Sequence, residues 1–248
     1  MGIWQERIFR WAFIAAILTA IEIVVRLNLV DRIFLTSPSL IAVAGWEKLL
    51  SGELPILLLT TLVETAIAFA IAVVVGLPAA YFLWKYPLLG RAYDDLLGAL
   101  FASPLILLYP IFLVTWGRNI NAIIAMGFIS GVIPIVLNAH QGLRDVKHVY
   151  IKVGKSMRLP DRRIITHILF PAAAPTIIGG MKLGLTYTLI SIIAVEFLVE
   201  IGGIGTLASK GYFWFNTEEL YLGVAGAIFL SMLFVFILGK AESRFFSS

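Results

Sequence analysis

Few residues in this chain have chemical potential, and they do not converge. Val153-Gly154-Lys155-Ser156 ends like a phosphate-binding loop, but that motif needs a glycine at position 149, where Val149 stands, and a strand before it. His140, His148 and His167 have neither metal-ligand spacing nor a paired acid, so no metal site is expected. The chain has no cysteine, which excludes thiolate ligands, disulfides and a cysteine nucleophile. The pairs Asp94-Asp95 and Glu218-Glu219 lie at the ends of apolar runs, where acids commonly cap helices. No catalytic constellation emerges, so neither enzymatic activity nor a cofactor is expected. Three ionisable residues stand inside apolar runs instead: Glu64, Lys182 and Glu196. A charge at the centre of a bilayer costs about 2.5–3.5 kcal/mol on insertion scales and needs a partner or a wet cavity. These three are therefore the candidates for a polar path or gate, against helix pairing and, for Lys182, snorkelling to the headgroups.

The elements that must hold them follow from composition. Of 248 residues, 60% are apolar and 14% charged, and the mean hydropathy is +0.96, whereas soluble domains carry roughly 25% charge. An all-α polytopic membrane protein is expected. At about 20 residues per span, six spans leave no room for a large soluble domain. Apolar runs place them near 8–30, 54–84, 95–117, 120–140, 168–198 and 219–239. The first has the short apolar run of a signal peptide, but Ile23-Val24-Val25 continues it without a small-x-small cleavage site, so an uncleaved span is expected. Threading the spans puts thirteen Lys and Arg on one side and five on the other, with Lys182 inside a span. The basic excess thus reads as an orientation signal placing both termini in the cytoplasm, and no nucleic-acid partner is expected. Pro78, Pro104, Pro110, Pro134, Pro171 and Pro175 fall within or beside spans, and Gly127-x-x-x-Gly131 and Gly180-x-x-x-Gly184 permit close helix contact, which favours a packed bundle over isolated anchors.

The longest cytoplasmic connection covers about 141–167. At 100° per residue, Val146, Val149, Tyr150, Val153 and Met157 share about a 100° arc, with Lys147, His148, Lys152, Lys155 and Arg158 on the other side. This predicts a short amphipathic helix, stopped by Pro160 and followed by a second helix capped by Asp161 that leads into span five. Two uses of such a helix are open: lying in anionic lipid headgroups, or sitting in the groove of a soluble partner and transmitting its motion to the bundle.

The run Leu169-Phe170-Pro171-Ala172-Ala173-Ala174-Pro175, with Gly180-Met181-Lys182-Leu183-Gly184-Leu185 after it, resembles the inner-membrane permease subunits of bacterial ABC importers, most of all their nitrate, sulfonate, taurine and bicarbonate group. Ala194-Val195-Glu196, Gly202-Gly203-Ile204-Gly205-Thr206-Leu207 and Ser103-Pro104 with Pro110 extend the likeness over about 55–243. The resemblance implies the type I importer architecture, with residues 1–248 as a single permease domain. It also implies two cytoplasmic ATPase subunits, a second permease chain, identical or different, and an extracytoplasmic solute-binding protein. The implied cargo is a small anion, or a cyclic vitamin precursor as in some relatives; an ion-gradient-driven transporter or channel is the alternative outside the family. The helix of 146–158 becomes the coupling helix, with Val149, Tyr150, Lys152, Val153, Gly154, Lys155, Met157 and Arg158 at the ATPase contact. Glu196 aligns with an acid common in the family.

One departure stands out. Where such permeases read Glu-Ala-Ala, three residues, then Gly, this chain has Lys152, Val153 and Gly154 on the triplet and Arg158 on the glycine. An acidic position has become basic, so the cognate ATPase is expected to present acid there. Lys152→Glu should then reduce the ATPase retained in copurification; undiminished assembly would count against the reversed charge.

Overall fold

The computed structural model describes residues 3–246, with side chains from Trp4 through Lys240, and is built from helices joined by short turns. The chain divides into two compact units. The first runs to Thr60 and takes up Glu196–Phe229; the second comprises Thr61–Val195 and the chain from Leu230 onward.

In the first unit, α1 (Ile3–Arg26) is followed by α2 (Pro38–Leu50), which lies between the expected first and second spans. Ser37 starts α2, its Oγ accepting the Leu40 N–H at 3.4 Å with Pro38 at the first helical position. Glu22 ties the two helices, accepting from the Ser39 backbone N–H at 3.1 Å and from its hydroxyl at 2.7 Å. Lys48, in the last turn of α2, donates to Glu53 at 2.8 Å and to Glu219 at 2.9 Å, at the starts of α3 (Glu53–Lys85) and α11 (Thr217–Phe246). Partial burial works against the Lys48 ammonium, but the two carboxylates outweigh it and hold its pKa above the usual lysine value. Both acids also lie in the first turn of their helices, where negative charge is favoured.

The glycine-rich segment after span five is a helix, α10 (Gly203–Phe213). Residues 203–209 are all buried. A Cβ on Gly226 would come within 2.6 Å of Ile204, and one on Gly223 within 2.7 Å of Ala208, so α11 approaches α10 at backbone distance. The aromatics that follow, Tyr212, Phe213, Trp214 and Phe215, are exposed.

In the second unit, the expected third span is not one rod. α4 (Pro87–Ala102) meets a 3₁₀ turn (Leu105–Leu108) and α5 (Tyr109–Trp116), bent by 88°. Pro104 pushes Ser103 to an extended ψ of 146°, and the helix must stop there. α6 (Ile120–Asp145) begins at Asn119, whose side chain accepts the Asn121 N–H at 2.9 Å. Its internal Pro134 is tolerated, and the Asn138 side chain donates to the Pro134 carbonyl at 2.8 Å.

α6 packs antiparallel against α9 (Phe170–Val199) along a seam of small residues. A Cβ on Gly127 would meet Ile192 at 2.8 Å; one on Gly131 would collide with the Thr188 hydroxyl; one on Gly184 would meet Ile135 at 2.5 Å; one on Gly142 would meet Thr176 at 2.8 Å. Helix α3 joins through a buried stripe, Thr61, Glu64, Thr65, Ala68, Ala72, Gly76 and Ala80, with Gly76 against Ile135. Association inside a membrane has no hydrophobic drive, so such close packing supplies the attraction. Gly184→Leu should destabilise the chain by about 1–3 kcal/mol through overpacking. Gly98→Leu, at a glycine with nothing within 4 Å, should leave the thermal midpoint in detergent unchanged.

Candidate functional site

The link between α6 and α9 carries the candidate site. α6 ends at Asp145, buried Val146 turns the chain, and α7 spans His148–Ser156. Val146 belongs to an apolar core with Ala80, Val136, Ala139, Leu143, Leu169, Ala173 and Ile177, beside which Tyr81 stacks between Trp84 and Phe170 at 5.8 and 6.1 Å. The base of α7 is thereby fixed to the bundle.

Gly154 is the buried point on α7 itself. A Cβ there would come within 2.8 Å of Ile168 Cδ1 and 3.2 Å of Ile164, so glycine lets α7 lie on the following segment without displacing either side chain. The adjoining arc faces outward: Val149, Tyr150, Val153 and Met157 are 61%, 47%, 52% and 68% exposed. Four of the five residues on the expected apolar arc are thus uncovered, and only Val146 is buried. Lys152, Lys155 and Arg158 are exposed on the other side of the helix.

The end of α7 is a left-handed turn. Arg158 has φ 55°, its N–H bonds the Lys155 carbonyl at 2.9 Å, and the Leu159 N–H reaches back to the Gly154 carbonyl at 3.1 Å. Glycine is the residue that usually occupies such a C-terminal position, and a branched side chain there costs about 1–2 kcal/mol. The two positions where the resemblance expects a small residue and a glycine are therefore the ones the backbone makes special.

Asp161 does not cap the next helix as expected. Pro160 occupies the cap position, and Asp161 is the first residue of α8 (Asp161–Ile164), where its charge still meets the helix N-terminus. A π turn over Ile165–Leu169 then leads into α9, with the Phe170 N–H bonded to the Ile165 carbonyl. Pro171 lacks the N–H that an ordinary helical turn would direct at His167, and the wider turn accommodates that gap.

The three intramembrane charges lie apart from α7. Glu64 is 2% exposed on the buried stripe of α3. Lys182 is half-buried and lines a groove of about 200 Å³ with Thr186, Leu189, Ser231 and Phe234 of α9 and α11. Glu196 is fully buried at the start of α10. Its Oε2 accepts the Gly205 N–H at 2.8 Å, and a side chain on Gly203, whose φ is +80°, would collide with the carboxylate. Thr206 closes the turn, its hydroxyl donating to the Gly202 carbonyl at 2.6 Å. The run Gly202-Gly203-Ile204-Gly205 was visible in the sequence, but nothing there paired it with Glu196.

Comparison with known proteins fits this arrangement. Residues 72–240 match the family of binding-protein-dependent transport system inner membrane components, a stretch that includes α7, Lys182 and Glu196 but not Glu64. The bicarbonate transport system permease protein CmpB of Synechocystis sp. is 30% identical over 167 residues, 67% of this chain and 60% of that protein. The nitrate import permease protein NrtB of Synechocystis sp. is 29% identical over 77% of this chain and 67% of its own length. The taurine transport system permease protein TauC of Escherichia coli is 21% identical over 89% of this chain and 82% of its own. Among solved structures, the MetNI methionine ABC transporter in inward-facing conformations superposes with a TM-score of 0.67 at 20% identity, covering 76% of this chain and 94% of the other, a likeness of fold. With more than half its length matched, the chain belongs to the binding-protein-dependent transport system inner membrane component family: it is a multi-pass membrane permease and not an enzyme.

Proposed function

We propose that this chain is a single permease domain that forms part of the translocation path of an ATP-driven importer, with α7 as the coupling helix held by a cytoplasmic ATPase. The observation that carries this reading is the exposed arc of Val149, Tyr150, Val153 and Met157 on a helix seated in the bundle through Gly154. An apolar helix face of this kind fits the groove of a soluble partner. The charge asymmetry of the loops supports a cytoplasmic location for α7 and for both termini. A second permease chain, a pair of ATPases and an extracytoplasmic solute-binding protein complete the assembly. The bicarbonate, nitrate and taurine permeases among the relatives support a small anion as cargo.

In this reading ATP-driven closure of the ATPases displaces α7, and the seam between α6 and α9 carries the displacement into the membrane. Glu64 and Lys182 serve the polar path. Glu196 serves a gate by positioning α10, whose N-terminus its carboxylate caps.

Two experiments test the proposal. Val153→Asp places a charge at the centre of the exposed arc and should weaken retention of the cognate ATPase in copurification by about 30-fold, the effect of losing an interface hot spot of ~2 kcal/mol. Unchanged retention would refute coupling through α7. Glu196→Gln should lower thermal stability by about 1 kcal/mol, the scale of a charge at a helix N-terminus, and impair anion uptake in proteoliposomes while leaving ATPase retention intact. Full uptake in that variant would remove Glu196 from the gate.

A further inference from the structure

In the second unit, a cavity of about 680 Å³ opens between the α3–α4 elbow, the end of α6 and the inward side of α7. Its wall carries four cationic side chains, Lys85, Arg91, Arg144 and Lys155, against one carboxylate, Asp161. Arg144 is engaged by Asp94, whose other oxygen contacts His140 Nδ1 at 2.8 Å; contrary to the sequence expectation, His140 therefore has a paired acid, and Asp94 lies within α4 and not at its cap, because α4 and α6 bring residues 46 apart together. The other three cations make no ion pair among the described residues. Lys85 Nζ lies 5.9 Å from the Tyr86 ring, and Arg91 Nε donates to the Pro87 carbonyl at 3.3 Å; neither contact neutralises a charge.

Like charges that converge on one cavity repel one another, and an anion with several acceptor oxygens relieves that repulsion. The volume is more than a bare ion needs, since a water molecule takes about 30 Å³ of liquid, so there is room for an organic group attached to the anion. Trp84 also lines the cavity, at the end of a long apolar helix, where aromatic rings mark the headgroup level of a membrane. Basic pockets between membrane helices on a cytoplasmic face are places where anionic headgroups bind.

We propose that this cavity binds a phosphate group, carried by an anionic lipid headgroup or by a free phosphate. Lys85 and Arg91 sit on the elbow and Lys155 on α7, so the bound group bridges the two elements. The site shares Lys155 with the expected ATPase contact, but phosphate binding does not require the ATPase and can be tested on the full chain alone.

The purified chain is given phosphatidylglycerol or phosphatidylcholine and examined by native mass spectrometry, and it is titrated with inorganic phosphate by calorimetry. The combined variant Lys85→Gln, Arg91→Gln and Lys155→Gln is compared with a control, Lys147→Gln, Lys152→Gln and Arg162→Gln, which removes equal charge outside the cavity. Retention of phosphatidylglycerol over phosphatidylcholine, undisturbed by inorganic phosphate, identifies the lipid; heat with inorganic phosphate and no lipid preference identifies the free ion. Whichever binds should weaken about a hundredfold in the cavity variant, at about fivefold per cation, and should change little in the control. Absence of both binding signals in the wild type, or equal losses in variant and control, overturns the site. Should the combined variant not fold, Lys155→Gln alone must weaken binding about fivefold and Lys155→Arg must restore it; binding unchanged in Lys155→Gln also overturns the site.

Discussion

The second unit depends on how closely α6 and α9 approach. Within a bilayer, apolar side chains gain nothing by leaving lipid for protein, so helices hold together by contact and polar satisfaction. Gly127, Gly131, Gly142, Gly180 and Gly184 bring the two backbones to a separation that any side chain would prevent. The same contact gives α7 its mechanical meaning, because α7 lies in the connection between the two helices that form the seam. A displacement applied there reaches a tightly packed pair instead of a loose loop.

The first unit shows the same economy at the other end of span five. Glu196 is placed in a low-dielectric setting, and the turn before α10 supplies what a buried carboxylate needs: a backbone N–H from Gly205 and the positive end of a helix. Gly203 leaves the space the carboxylate occupies. At the solvent-facing start of the helices, Lys48 joins Glu53 and Glu219, so three elements of that unit share one ionic contact.

Some of this could be read from the residues alone. Apolar runs located the long spans because hydropathy over some twenty residues reports lipid exposure directly. The wheel over 146–158 and Pro160 predicted a short helix, a stop and a second helix, which are local properties of the chain. The 88° bend at Ser103-Pro104 was not evident, since an apolar run looks the same whether straight or folded, and the proline alone did not separate a kink from a break. α10 was missed because its burial comes from Gly223 and Gly226 of α11, distant in sequence, and α2 because its thirteen residues are too short to span a bilayer. The exposure of Val149, Tyr150, Val153 and Met157 was equally out of reach: the wheel identifies an apolar arc, while the side on which the helix rests is decided by Gly154 against Ile164 and Ile168.

The π turn at Ile165–Leu169 acts as a phase shifter. Ile164, just before it, and Ile168, within it, meet α7; after it, Thr176, Gly180, Gly184 and Thr188 repeat every four residues and meet α6. Each residue rotates a helix by roughly 100°, so removing one residue from that turn would swing the second set away from α6 while Ile164 stayed against α7. A single extra amino acid therefore lets one continuous stretch of chain serve two neighbours at different azimuths.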